Sequence, residues 1–220
     1  MSGDVEELYD YDLIRQSGEP SMFDVRPVRT TLVLGSSQSV DVLDPRKVRD
    51  VPVRRRRGGG GLVVLHPGDL WIDWWIPAGD PRWSGDLHVS SLRAGQWWRE
   101  SLRDQIDGVL TVHEGRLEGE PAHRVVCFAG RGPGEVFVDG VKTVGVTQWR
   151  VREGVFVSTV LPVEPSIEAL GFLTNVPVGL DRVLDEKVSA PVAGIDHARL
   201  IDRLVQVSGP WRSRSFQLDA

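Results

Sequence analysis

Arg54-Arg55-Arg56-Arg57 runs directly into Gly58-Gly59-Gly60-Gly61, and this is the densest chemistry in the sequence. Glycines let the backbone approach a ligand closely, adopt positive φ and offer N–H donors to an anion. Arginines beside them add permanently charged, bidentate donors suited to phosphate or carboxylate. A glycine run alone reads as a flexible loop, and an arginine run alone as a solvated turn. Because arginines precede the glycines and the apolar run Leu62 to Leu65 follows them, the segment fits an anion or nucleotide site.

A second group of residues lies further along: Cys127-Phe128, Glu135, Asp139-Gly140-Val141-Lys142, then Gly145 and Gln148. Lys142, on a strand between Val141 and Val144, is either a solvent-facing position or a cation aimed at negative charge. Cys127 is the sole cysteine, which excludes an intramolecular disulfide and a cysteine zinc cluster. On an apolar strand it reads as a small buried hydrophobe. It also stands at the head of the glycine-rich turn Ala129 to Gly134, where a nearby lysine would favour the nucleophilic thiolate. Both readings stay open. His66, His88, His113, His123 and His197 are scattered without ligand-like spacing, so no metal site is expected.

The elements that must position these groups follow from periodicity. Residues 4 to 16 suggest a short helix with Leu8, Leu13 and Ile14 as its apolar positions. Thr31 to Gly35 and Val51 to Arg56 read as strands. Leu62 to Leu65 and Leu70 to Ile76 flank Pro67-Gly68, a turn dipeptide, and together predict a hairpin. Val89 to Gln105 is the clearest helix, with Leu92, Gly95, Trp98, Leu102 and Ile106 on one face. Strands are expected over Val109 to His113, Arg124 to Phe128, Glu135 to Val138, Val141 to Arg150 and Gly154 to Leu161, with Asp139-Gly140 as a two-residue hairpin turn. Helices over Pro165 to Leu173 and Ile195 to Val207 close the chain, the latter burying Ala198, Ile201, Leu204 and Val205. The fold class is α/β or α+β, a mixed sheet backed by helices.

The 220 residues fit one domain over 1–220, and no linker composition divides them. A net charge of −5 argues against nucleic acid as a partner, which calls for surplus lysine and arginine. No apolar run approaches the roughly 20 residues of a membrane span, and Met1 to Glu7 lacks the character of a signal peptide. With a single cysteine, these features point to a cytoplasmic protein.

Arg55-Arg56-Arg57-Gly58-Gly59-Gly60-Gly61 resembles the Arg-Arg-x-Ser-Gly-Gly-Gly signature of the lipoate–protein ligases and octanoyltransferases, with Gly58 where serine or threonine is common. Leu34-Gly35-Ser36-Ser37-Gln38 is similar to the family's Leu-Gly-x-x-Gln strand end. Gly140-Val141-Lys142 through Gly145 to Gln148 is similar to its Gly-x-Lys-x-x-Gly-x-x-Gln stretch. Gly68 matches the glycine after the family's His-Asp pair, whose places are taken here by Leu65 and His66. Thr159-Val160 stands where many relatives carry His-Gly. The resemblance covers roughly Thr30 to Leu161 and leaves no room for an accessory C-terminal domain.

The resemblance implies the fold shared with biotin–protein ligases and class II aminoacyl-tRNA synthetases. It also implies acyl transfer to a carrier lysine. In the leading form, ATP with magnesium converts lipoate or octanoate to an acyl-adenylate. The lysine of a lipoyl carrier (the glycine cleavage H protein or a dehydrogenase E2 lipoyl domain) then attacks it. Arg55, Arg56, Gly59, Gly60 and Gly61 would hold phosphate and Lys142 the carbonyl and phosphate oxygens, with Gln38, His66, Gly145 and Gln148 completing the substrate site. In a second form Cys127 takes the acyl group as a thioester, as in the family's cysteine-dependent octanoyltransferases, and no ATP is used. A third form is a binding module that keeps the pocket without turnover. Lys142→Ala is expected to abolish acylation and leave the fold intact.

Overall fold

The segment Leu70-Trp71-Ile72-Asp73-Trp74-Trp75-Ile76-Pro77 has apolar residues on both of its period-two faces, so its strand can persist only if both faces are covered. In the computed structural model, which describes residues 5–164, 166–187 and 194–218, every residue of this strand is buried. Leu70, Ile72, Trp74 and Ile76 enter one core, while Trp71 and Trp75 enter another on the opposite face.

The strand is the fifth, β5, of ten in the described residues. The others are β1 Ser21–Pro27, β2 Thr31–Leu34, β3 Val53–Arg55, β4 Val63–Leu65, β6 Leu110–Val112, β7 Val136–Val138, β8 Val141–Val151, β9 Gly154–Leu161 and β10 Arg212–Leu218. A seven-stranded sheet has the order β10-β1-β5-β9-β8-β7-β6, and a three-stranded sheet the order β3-β2-β4. Both are mixed: β1 runs parallel to β10 and β2 parallel to β3, while the other pairs are antiparallel. The helices are α1 Tyr11–Arg15, α2 Leu87–Leu102, α3 Leu180–Lys187 and α4 His197–Ser208. The expected mixed sheet backed by helices is therefore the architecture found.

Helices α2 and α4 cover one face of the large sheet through Ala94, Trp98, Leu102, Leu200 and Leu204. Asp86 caps α2 by accepting the His88 N–H at 2.7 Å, which satisfies one of the helix's orphan donors. Gly95 on α2 is there for space: a Cβ would overlap the Gly134 carbonyl. The other face is covered by the N-terminal residues Leu8, Tyr9, Tyr11 and Ile14, with Val33, Val63, Leu65 and Phe128. A third core, on the outer side of the small sheet, joins Leu32, Leu34, Leu62 and Val126 to Leu173, Leu180 and Leu184.

Asp139 and Gly140 take φ of 50° and 82°, the left-handed pair that matches a tight hairpin to strand twist. The β7–β8 hairpin forms around them, with Val138 opposite Val141 and Phe137 opposite Lys142.

Several expectations are corrected. Leu62 to Leu65 and Leu70 to Ile76 do not form a hairpin: β4 pairs with β2 in the small sheet and β5 with β1 and β9 in the large one. The Pro67-Gly68 turn carries the chain between sheets. Arg124 to Phe128 is not a regular strand; it follows a 3-10 turn at Pro121–Arg124 and makes one bridge, Val126 to Leu62. The segment up to Leu173 is a 3-10 helix, Ser166–Phe172, and residue 165 lies outside the described residues. Residue 4 also lies outside them; the N-terminal helix is confined to Tyr11–Arg15, and Leu13 is exposed. On α4 the buried stripe is Leu200, Leu204 and Ser208, with Ala198 exposed. Strands β1 and β10 and helix α3 were not anticipated.

Candidate active site

The chain leaves β3 at Arg55 and turns inward at Arg56, a residue 1% exposed. Burying an arginine requires its donors to be met. Nη1 donates to the Val33 carbonyl at 3.1 Å, and Nη2 to those of Gly59 and Gly61 at 3.0 and 2.7 Å. The same Nη2 lies 3.7 Å from Cys127 Sγ. Arg55 Nη1 donates to the carbonyls of Gly35 and Gln38 at 3.0 and 2.7 Å. Arg57 pairs with Glu7 and Asp12 and sits over the rings of Tyr11 and Trp149, so its protonated form is further favoured. Arg54 pairs with Glu6. The arginine run thus ties the glycine loop and the N-terminal segment in place, with Arg55 and Arg56 donating to backbone carbonyls.

Gly60, with φ of 98°, brings its carbonyl against Gly35, where a Cβ would overlap that oxygen. Gln38 clips the same corner: its Oε1 accepts the Gly35 N–H at 3.0 Å and its Nε2 donates to the Val125 carbonyl at 2.9 Å. Thr147 Oγ1 donates to the Gly59 carbonyl at 2.9 Å, which moors the loop to β8.

The facing wall begins where Cys127 donates its N–H to the Leu62 carbonyl at 2.9 Å. Phe128 then adopts φ of 67° and the Ala129 N–H returns to the Cys127 carbonyl at 2.8 Å, a tight γ-type turn. For a bulky residue this backbone is strained, and such strain concentrates at functional positions. The turn sets the half-buried Cys127 side chain on a pocket wall. The Phe128 ring packs where Gly145 leaves room for it and lies 5.0 Å below Lys142 Nζ.

Between these walls is a pocket of about 450 Å³, largely apolar in its lining. Gln38, Gly60, Gly61, Cys127 and Lys142 all border it, although they come from widely separated parts of the chain. Glu118, Glu120, His123, Arg124 and Glu135 border it too. Lys142 is 4% exposed; its Nζ is 2.5 Å from Glu135 Oε1 and donates to the Gly130 carbonyl at 3.2 Å.

The remaining expected site residues do not line this pocket. His66 Nε2 meets Glu168 at 2.6 Å, in the turn between β4 and β5. Gln148 donates to the Leu87 carbonyl and to Ser91 Oγ, both at 2.7 Å, pinning the start of α2 to β8. Gly145 supports Phe128, and Gly59 presents its carbonyl to Arg56 and Thr147. Among the described residues no group of three or more histidine, cysteine, aspartate or glutamate side chains could hold a metal ion, and no helix is long and apolar enough to cross a membrane.

Sequence reasoning gave no role to Glu135, although a signal existed. Counting an unbroken register back from the Asp139-Gly140 turn puts Lys142 opposite Phe137 and Glu135 diagonal to it; in the structure a register shift between Val136 and Phe137 intervenes, and the pair forms all the same.

No protein-family model matches the chain, and no curated protein matches its sequence. Solved structures match it well. A lipoate-protein ligase A bound with ATP superposes with a TM-score of 0.69 at 16% identity, over 93% of this chain and 81% of that one. The bi-partite lipoate protein ligase of Thermoplasma acidophilum, described with its E2 lipoyl domain, gives 0.65 at 17% identity, over 94% and 80%. A candidate lipoate protein ligase of T. acidophilum with bound lipoic acid gives 0.67 at 15% identity, over 94% and 82%. At such identities the likeness is one of architecture, and on that ground the chain has the fold of the lipoate–protein ligases.

Proposed function

We propose that the chain attaches a lipoyl- or octanoyl-type acyl group to the lysine of a lipoyl carrier protein, holding it on Cys127 as a thioester. One observation carries this reading: Cys127, Lys142 and the Gly60-Gly61 backbone border a single, largely apolar pocket with room for a medium-length acyl chain. Cys127 sulfur would attack the carbonyl of an acyl thioester, forming a new C–S bond. The donor's thiol would leave with the proton given up by Cys127. The carrier's neutral lysine amine would then attack the Cys127 thioester, forming the amide. Cys127 would leave as the thiol, taking the proton lost by the amine. Lys142 N–H would orient the uncharged acyl carbonyl, and nearby backbone donors would stabilise the oxyanion formed at each step.

A second reading, activation of the free acid by ATP and magnesium, draws support from the ATP-bound ligase that shares this fold. In this chain the guanidinium groups of Arg55, Arg56 and Arg57 are engaged with carbonyls and carboxylates, which favours the route without phosphate.

The test is intact-mass analysis of the chain incubated with octanoyl-coenzyme A and no nucleotide, then with a lipoyl domain. The reading expects one octanoyl group on the wild type, none on Cys127→Ser, and passage of the group to the carrier lysine. Carrier modification that requires ATP and free acid would overturn the thioester route. An unmodified carrier under either regime would leave a binding module.

A further inference from the structure

Glu135 takes no step in that scheme, yet it is the closest partner of the lysine on which the scheme depends. Its Oε1 is 2.5 Å from Lys142 Nζ and its Oε2 accepts the Gly132 N–H at 2.6 Å. The two side chains are 8% and 4% exposed, and both residues border the pocket. An ammonium has three donors. One of Lys142's meets Glu135 and another the Gly130 carbonyl. One N–H is left for a ligand, and the positive charge behind it is already compensated.

Among the charged residues bordering the pocket, Glu118 and Glu120 outnumber Arg124, and His123 uses Nδ1 to accept the Glu120 N–H at 3.2 Å. The Arg56 guanidinium stands behind the Cys127 sulfur, with its donors given to the Val33, Gly59 and Gly61 carbonyls. A ligand carboxylate at Lys142 would sit beside the Glu135 carboxylate in a wall shielded from water, where like charges repel strongly. An uncharged carbonyl oxygen asks for a single hydrogen bond, and Lys142 has one to give.

We propose that Glu135 determines the donor specificity of this pocket: by neutralising Lys142 it admits an acyl group presented as an uncharged carbonyl and turns away the free carboxylate. This rests on the acyl-pocket reading above. It adds a residue whose function is selection and which has no chemical step of its own.

The test compares two ligands of equal length, octanamide and octanoate, binding to the full chain by calorimetry near neutral pH. Wild type is expected to bind octanamide about tenfold more tightly, because juxtaposed like charges are costly. Glu135→Gln keeps the side chain's shape and an acceptor for Gly132, and frees the Lys142 charge, so it should reverse the order. Octanoate binding wild type as tightly as octanamide, or more so, overturns the inference even if Glu135→Gln fails to fold. A folded Glu135→Gln that keeps the wild-type order overturns it as well. Binding of neither ligand removes the acyl-pocket reading itself, and the specificity role with it.

Discussion

Cys127 and Arg56 are in contact: the only sulfhydryl of the chain lies 3.7 Å from a guanidinium nitrogen that is itself buried. Arg56 also grips the Gly59 and Gly61 carbonyls, so the glycine loop and the cysteine wall are held by one side chain. The arginine–glycine motif therefore reaches the pocket through backbone geometry, and its charge lies beside the sulfur.

Cys127→Ser should lower acyl transfer from a thioester by on the order of a thousandfold or more, the scale seen when a covalent nucleophile is deleted. Because Cys127 is only half-buried, the melting temperature should move little. Rate and melt measured on the same preparation check both statements; a loss of less than about tenfold removes Cys127 from the covalent role.

Arg56→Ala should be severe for stability. It removes a donor from three carbonyls, those of Val33, Gly59 and Gly61, of which Gly59 keeps the Thr147 hydroxyl. At roughly 1–3 kcal/mol for each buried group left unsatisfied, a loss of about 2 kcal/mol or more is expected in denaturant unfolding. Arg56→Lys should recover little, because one ammonium cannot span the fork of acceptors.

Lys142→Ala was expected from sequence to spare the fold, and the buried pair with Glu135 corrects that expectation. Leaving Glu135 without its partner should cost roughly 3–5 kcal/mol, whereas replacing both residues by Met and Leu should be close to neutral. Thermal melts of Lys142→Ala and of the double variant distinguish a buried pair from a solvent-facing lysine. Lys142→Arg should also fail in transfer, since a planar guanidinium does not fit the small space between Glu135 and Gly130.

Asp73 predicts a pH dependence. Burial in the centre of the sheet pushes its carboxyl up to about 7, despite hydrogen bonds from Tyr9 Oη at 2.9 Å and the Thr159 N–H at 3.2 Å. Folded protein keeps this proton up to about pH 7, while the unfolded chain loses it near 3.8. Between those values unfolding releases a proton, so the stability this group contributes is full below pH 4 and is lost as pH rises through 7. The loss is at most about 4 kcal/mol, at about 1.36 kcal/mol per pH unit. Urea titrations at pH 5 and pH 8 should show a larger drop in wild type than in Asp73→Asn; equal drops would show that Asp73 is ionised throughout.

Local rules made much of this molecule legible in the sequence. Asp139-Gly140 needed only its two residues to specify a left-handed turn, and α2 only its apolar spacing. Gly60, Gly61, Gln38, Cys127 and Lys142 could be marked as belonging together because their spacing resembles a known motif, and these five border the pocket. Long-range choices were not legible. Pro67-Gly68 turns the chain equally well into a hairpin or across to another sheet, and only the cores competing for Trp71 and Trp74 decide between them. The polar β10 is a strand because β1 runs alongside it, a partner distant in sequence. Whether an arginine meets a ligand or a carbonyl, and whether a lysine's charge is open or compensated, depends on burial and neighbours. Those exist only once Val33, Gly61 and Glu135 have been brought beside Arg56 and Lys142.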